Sequence, residues 1–329
     1  MKGIVLLVLI GSMSWPSFAD DARELPKGTL RLSQSTSFAF AVSRFNLDGE
    51  KEQIARYDGR LMALNLGAAL EMGITGWVSA LLEWAPGWNV WSAFDYQTAP
   101  DDMLTVNGGH DLFAATRVQI LGRGGLLPSN RFRLAFAPGG KIPLPSPDWL
   151  EQANRALDGE PWRQYANDYH TPGLGSRAYF DVILTHWLYL NLYAEFIRYF
   201  PKDYDEVDLL AYQMLPPKPQ EVDYGYSLTA EVEPHLGFRL SERMRLEACL
   251  PVTFRRTPEL EFDGTAMADS DTYVLTATPR LTLLLSRPAM EFRLGYTYPI
   301  LGRGNPAKSY SPAMNTFSLQ VRSYLRIYR

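Results

Sequence analysis

The stretch Ser227–Leu240, SLTAEVEPHLGFRL, alternates between apolar and polar residues. Its even-numbered positions are mostly apolar, whereas its odd-numbered positions include Glu231, Glu233, His235 and Arg239. Successive side chains of a β-strand point to opposite faces, so this pattern predicts a strand with one apolar face and one polar face. The polar face suits water, and the other suits lipid or a protein core.

The same alternation resumes after the short turn Ser241-Glu242 and recurs to the end of the chain. The segments between turns are long enough to cross a bilayer as tilted strands. We therefore predict twelve strands, near residues 28–42, 59–73, 76–90, 108–122, 130–139, 174–186, 187–200, 225–240, 243–256, 271–286, 289–301 and 313–328.

The predicted connections alternate in length along the chain. Short ones fall at 73–76, 186–187, 241–242 and 287–288, and long ones at 43–58, 91–107, 140–173, 201–224, 257–270 and 302–312. The connection 123–129 is intermediate. An even number of strands, with short turns at one end and long loops at the other, is typical of antiparallel barrels in bacterial outer membranes. The expected fold class is therefore an all-β, antiparallel transmembrane barrel.

Composition and charge agree with this class. The chain has 329 residues, 46% hydrophobic, and a mean hydropathy of -0.17. These values are too apolar for a disordered chain and too polar for a helical membrane bundle. The formal net charge of -4 argues against a nucleic-acid partner. Because there is a single cysteine, Cys249, no disulfide can form within the chain.

The first residues predict export. Met1-Lys2-Gly3 is a short basic start, an apolar run follows, and Ser17-Phe18-Ala19 resembles a signal-peptidase site. The apolar run is too short for a membrane anchor. We therefore assign residues 1–19 to a signal peptide and residues 20–329 to one outer-membrane β-barrel.

The alternating segments have two other interpretations. Val182–Phe200 is apolar enough to suggest a transmembrane helix, but its polar residues from 189 to 195 recur at every second position. A soluble β-sandwich also alternates, but its solvent face is usually rich in lysine, and this chain has 25 Arg against 7 Lys. Prolines inside predicted strands require bulges or shifted boundaries, and they lie at Pro234, Pro251, Pro279 and Pro299.

Three features carry a resemblance to a known class. The signal peptide, the strand-turn-strand Leu70–Trp77 and the amphipathic closing strand from Phe317 to Ile327 resemble bacterial outer-membrane transporter barrels, including long-chain-fatty-acid and aromatic-hydrocarbon channels. The motifs are generic, and the chain ends in Tyr328-Arg329 rather than in an aromatic residue. The resemblance implies residence in the outer membrane, contact with its lipid, and insertion by the outer-membrane assembly machinery.

The inward-facing positions gather charges of both signs. The candidate residues of the lumen, or solute path, are Arg117, Arg131, Arg133, Arg177, Asp181, Glu195, Glu231, Glu233, His235, Arg239, Arg245, Glu247, Arg280, Glu291 and Arg293. Arginine forks bind carboxylates in a bidentate manner, so these residues suit the passage of a small anionic or amphipathic solute. The alternative is that arginines and acids pair with each other and fill the bore.

The longest predicted loop, 140–173, carries a short helical signal. Its residues Asp148, Trp149 and Glu151 follow a serine cap and a proline, as at the start of a helix. We interpret these three residues as part of a candidate gating loop that folds over the mouth. The alternative is a solvated cap on the cell surface.

Nothing in the sequence indicates an enzyme, a cofactor or a metal site. The four histidines show no metal-ligand spacing, and the residues two positions after them are Leu112, Pro172, Leu188 and Gly237. Outer-membrane phospholipase barrels place a serine at that position. The sequence therefore predicts a channel or passive transporter. The alternative function is a non-conducting adhesin or structural barrel.

Overall fold

A computed structural model describes residues 22–54, 60–94, 103–144, 171–207, 218–305 and 311–327. These residues form an antiparallel β-barrel of twelve strands, as the alternation predicts. The strands are β1 (Thr29–Ala41), β2 (Ser43–Phe45), β3 (Lys51–Gln53), β4 (Arg60–Gly73), β5 (Val78–Phe94), β6 (Met103–Gly109), β7 (Leu112–Leu121), β8 (Phe132–Ile142), β9 (Gly173–Ile183), β10 (Leu188–Tyr199), β11 (Lys202–Val207), β12 (Lys218–Asp223), β13 (Tyr226–Arg239), β14 (Met244–Cys249), β15 (Val252–Thr257), β16 (Glu261–Phe262), β17 (Thr265–Ala266), β18 (Thr272–Ala277), β19 (Arg280–Ser286), β20 (Ala289–Arg303) and β21 (Asn315–Arg326).

The barrel closes because its first and last strands pair. Antiparallel pairing of β1 with β21 runs from Thr29 opposite Arg326 to Phe40 opposite Asn315. Three of the twelve wall strands are interrupted, and each consists of two consecutive pieces: β6 with β7, β14 with β15, and β18 with β19. The remaining short strands lie at the long-loop end, as the hairpin β2–β3 and the sheet β11-β12-β16-β17.

The prolines mark irregular places in the wall. Pro251 separates β14 from β15, and Pro279 separates β18 from β19. Pro299 lies beside a register shift between β18 and β20, whereas Pro234 lies within the continuous strand β13. A proline lacks the N–H that the ladder needs, which explains the interruptions. Residues 182–200 fall in β9, a turn and β10, so the strand prediction for this segment is confirmed.

The barrel buries polar groups and exposes apolar ones. On β20 and β21, Leu294 and Phe317 are 60% and 52% exposed, whereas Glu291 and Arg322 are 7% and 3% exposed. Exposed apolar residues recur around the outer wall, as lipid requires. Within the described ranges, no helix is long and apolar enough to span a bilayer.

Two sequence predictions fall outside the described residues. Residues 1–21 include the predicted signal peptide, and residues 145–170 include Asp148, Trp149 and Glu151 of the candidate gating loop.

The outward face of β20 allows a direct test of the lipid contact. Leu294→Arg places a charge among acyl chains, and we expect it to lower the free energy of unfolding by about 2–4 kcal/mol. Ser286→Arg, at the short-turn end of β19, is the matched control and should change it by at most about 1 kcal/mol. Reversible urea unfolding in lipid vesicles measures both values, and equal effects would contradict the assignment of Leu294 to the lipid face.

Candidate functional site: the barrel lumen

The segment before β1 lies inside the short-turn end of the barrel. Gly28 donates a backbone hydrogen bond to the carbonyl of Gly73, at the end of β4. From there the chain runs inward to Ala22, which is fully buried against Ala135, Ala137, Tyr179 and Tyr193. We call residues 22–27 the N-terminal segment.

Ala22 fixes the inner end of this segment. Its backbone N–H lies 3.2 Å from both carboxylate oxygens of Asp181, and its carbonyl accepts a 2.9 Å hydrogen bond from Gln119 Nε2. Asp181 also accepts hydrogen bonds from Asn191, at 2.8 Å, and from Arg133, at 3.2 Å. A fully buried carboxylate on β9 therefore holds a backbone group that lies 159 residues away in the sequence.

Glu24 anchors the middle of the N-terminal segment. Its carboxylate lies 3.8 Å from Arg117 Nε and has no exposed side-chain surface. Arg117 also faces Glu71, at 3.7 Å, and Glu71 pairs with Arg31 and accepts a 2.6 Å hydrogen bond from Ser79. Burial raises the pKa of the Glu24 carboxyl, and the positive charge of Arg117 opposes this shift.

A second cluster lies on the inner faces of β5, β9 and β10. Arg177 pairs with Glu83 at 2.9 Å and with Glu195 at 2.6 Å. Its guanidinium lies 3.9 Å from the centroid of the Phe113 ring. Tyr193 donates a 3.0 Å hydrogen bond to Glu195. Here one arginine compensates two carboxylates and stacks on an aromatic ring.

Two further groups of charges lie on other strands, one on β20 and β21 and the other on β13, β14 and β19. Glu291 pairs with Arg293 at 3.1 Å and with Arg322 at 3.7 Å, and accepts a 2.5 Å hydrogen bond from Tyr324. In the second group, Arg280 on β19 pairs with Glu233 on β13.

On β14, Arg245 Nε lies 3.1 Å from Glu247 Oε1. Thr253 donates a 2.6 Å hydrogen bond to Glu231. The carboxylates of these two groups therefore have cations or hydroxyl groups beside them, as burial of charge requires.

The predicted lumen residues separate into three groups by exposure. Nine are buried in the wall: Arg117, Arg177, Asp181, Glu231, Glu233, His235, Glu247, Arg280 and Glu291. Four are partly exposed in the lumen: Arg133, Glu195, Arg245 and Arg293. Arg131 precedes β8 and Arg239 ends β13, and both are exposed at the short-turn end. These two therefore lie at the rim.

Sequence reasoning missed the N-terminal segment. Residues 22–27 carry no strand alternation, and nothing in them indicates a partner more than a hundred residues away.

Comparisons with solved structures show which known proteins have a similar fold. The COG4313 outer membrane channel from Pseudomonas putida F1 aligns with a TM-score of 0.63 at 12% identity, over 94% of this chain and 100% of that chain. The β-domain of the Bordetella autotransporter BrkA and the NanC porin align with TM-scores of 0.47 and 0.41, at 9% and 8% identity, over 91% and 89% of this chain and all of theirs. No protein-family model and no curated protein sequence matches the chain.

The closed twelve-strand wall, its apolar outer face and its charged lumen define the class. The chain has the fold of a bacterial outer-membrane β-barrel, and its apolar outer wall is of the kind that faces lipid. The short turns and the N-terminal segment lie at one end of the barrel, and the long loops lie at the other.

Substitution of Arg177 tests how much the charge pairs of the lumen contribute to the free energy of unfolding. Arg177→Ala leaves two carboxylates without their shared cation, and we expect the free energy of unfolding to fall by about 3–5 kcal/mol. Arg198→Ala is the matched control, because Arg198 pairs with Asp223 at 2.5 Å but its side chain is 45% exposed. In the Arg198→Ala variant the free energy of unfolding should fall by at most about 1 kcal/mol. Equal losses in urea unfolding would show that the Arg177 cluster is solvated.

Proposed function

We propose that this protein is a passive outer-membrane channel for a small amphipathic solute, and that the N-terminal segment restricts its lumen at the periplasmic end. The observation that carries the proposal is the path of that segment. It joins the end of β4 to Asp181 on β9, four wall positions away, in a few residues. Between these ends Glu24 lies beside Arg117 on β7 and Ala22 packs against Ala135 on β8, so the segment lies along the inner face of this part of the wall and takes up part of the lumen.

The contacts of the segment suit a removable obstruction. Its polar contacts include the ion pair of Glu24 with Arg117, a hydrogen bond that the Ala22 N–H donates to Asp181, and one that the Ala22 carbonyl accepts from Gln119. No disulfide can fix it, because the only cysteine is Cys249. A hydrogen bond contributes about 0.5–1.5 kcal/mol net between neutral groups and about 1.5–3 kcal/mol when one partner is charged, so local opening of the segment costs less than unfolding of the barrel.

The lining favours an amphipathic solute over a simple anion. Arg177 shares its positive charge with Glu83 and Glu195, and Arg280 shares its charge with Glu233. The fixed charges are therefore largely compensated. The rings of Tyr179 and Tyr193 are buried against Ala22, so displacement of the N-terminal segment would open apolar surface to the lumen. A solute with both a polar and an apolar part matches both kinds of surface.

A relative of known type supports the general role. The Pseudomonas putida F1 protein with the same fold is described as an outer membrane channel. The proposed function is not enzymatic. The second candidate, a non-conducting surface barrel, is favoured by the pairing of lumen charges, which fills space inside the wall.

Gly73 allows the segment to be displaced by a single substitution. A Cβ at Gly73 would lie 2.3 Å from the carbonyl oxygen of Pro26, whereas a Cβ at Gly76, in the same turn, meets nothing within 4 Å. Gly73→Val should therefore push the N-terminal segment off its site and raise the single-channel conductance in planar bilayers several-fold. Gly76→Val should leave the conductance at the wild-type value. If both variants stay as closed as the wild type, the non-conducting barrel is the better account.

The solute class has its own test in the Gly73→Val channel. Because the lumen charges compensate each other, we expect a reversal potential close to zero across a potassium chloride gradient. Liposome swelling should be faster with a zwitterionic amphipathic solute than with a dianion of similar size. A reversal potential near the chloride equilibrium value would instead identify a path for anions.

A further inference from the structure

One cluster of the lumen wall is not needed for the proposed channel. Glu233 and His235 lie on β13, and Cys249 lies on β14. All three face the lumen and are buried, at 2%, 8% and 8% exposure. One donor atom from each lies within 4.8 Å of the other two. A thiol, an imidazole and a carboxylate are the three ligand types that zinc accepts in proteins.

Strand pairing holds these donors in place. His235 is directly opposite Cys249 in the antiparallel pairing of β13 with β14, and Glu233 lies two residues along on the same face. Donors on paired strands are positioned more rigidly than donors on loops. Sequence reasoning saw no metal spacing because the cysteine is brought to the histidine by the hairpin, rather than by a short motif such as C-x-x-C.

His235 provides an independent indication of a missing ligand. Both of its ring nitrogens are buried, and neither makes a hydrogen bond of regular geometry. Nε2 lies 3.1 Å from Glu233 Oε1, and the ring stacks on Tyr189 with 4.1 Å between the centroids. A buried polar side chain without hydrogen bonds is rare, and each such group calls for an explanation. A metal ion at Nε2 would satisfy the ring.

Glu247 stands where a supporting residue for that ring is expected. Its Oε2 atom is 3.9 Å from His235 Nδ1 and accepts a 3.3 Å hydrogen bond from Tyr189. A histidine that binds a metal through one nitrogen usually directs the other toward a carboxylate or carbonyl. Glu233 and His235 are therefore placed as two ligands, and Glu247 is placed as the carboxylate that orients the His235 ring.

Arg280 shows that the cluster favours a positive charge. Its guanidinium contacts the carboxylate of Glu233, and its Nε donates to Cys249 Sγ at 3.3 Å. The guanidinium therefore bridges two of the three donors. Arginine has a long, flexible side chain, so its charged end can move while the strands stay in place.

We propose that Glu233, His235 and Cys249 form a binding site for a thiophilic divalent ion of the zinc type, and that the Arg280 guanidinium takes the position of the ion when none is bound. On binding, the Cys249 thiol gives its proton to lumen water and the sulfur becomes a thiolate ligand. The guanidinium moves aside, and no electron is transferred. Three protein ligands leave one tetrahedral position open to the lumen.

Cobalt(II) is the probe for this site in the folded, full-length mature protein in detergent. Since the chain has one cysteine, a thiolate-to-cobalt charge-transfer band reports on Cys249 alone. We expect a band that saturates at one ion per chain and disappears when zinc is added. Cys249→Ser should abolish the band, and His235→Gln should weaken cobalt binding at least tenfold. His186→Ala, at an exposed turn position, is the control and should change nothing.

Arg280→Gln tests the competition directly. Removal of the guanidinium should lower the cobalt concentration that half-saturates the band. Heat-modifiable migration in gels shows whether each variant is folded. If Cys249→Ser does not fold, protection of the native Cys249 thiol from a thiol reagent by zinc, but not by magnesium, is the equivalent readout. Absence of both the band and the protection in the wild-type protein overturns the proposal, whatever Arg280→Gln shows.

Discussion

Closure of the backbone ladder is the constraint on which the rest of the structure depends. In hydrocarbon there is no water to bond an open strand edge, and each unpaired group costs several kcal/mol. Pairing of β1 with β21 removes both edges, along twelve matched positions. The prolines between β14 and β15 and between β18 and β19 leave local interruptions, but the neighbouring strands stay paired on either side of them.

Closure in lipid also reverses the usual distribution of side chains, in which apolar residues lie inside and charged residues lie outside. The outer wall carries the apolar residues, so charged side chains must share a confined interior with little water. The result is a set of clusters such as Arg177 with Glu83 and Glu195. In this setting a short segment docks through polar contacts as well as through the apolar packing of Ala22. The buried carboxylate of Asp181 receives the backbone N–H of Ala22, and Arg117 lies beside Glu24.

The sequence predicted most of the wall and less of the lumen. Alternation at every second residue is a local signal, so the twelve strands, their order and the inward side of residues such as Glu231 and Arg280 could be read directly. Partners across the bore are not local. The contact of Ala22 with Asp181 and the meeting of His235 with Cys249 depend on closure and register, which no short motif encodes. Arg131 and Arg239 have the inward parity but lie at strand ends, where parity no longer ensures burial.

The central claim is that alternate residues of each strand face acyl chains and the lumen. Spin labels placed one at a time at residues 316 to 321 of β21, in a Cys249→Ser background in lipid vesicles, test it most directly. The account predicts that labels at 317, 319 and 321 collide with dissolved oxygen, and that those at 316, 318 and 320 do not. Collisions of all six labels with a water-soluble nickel chelate, or a reversed alternation, would contradict it.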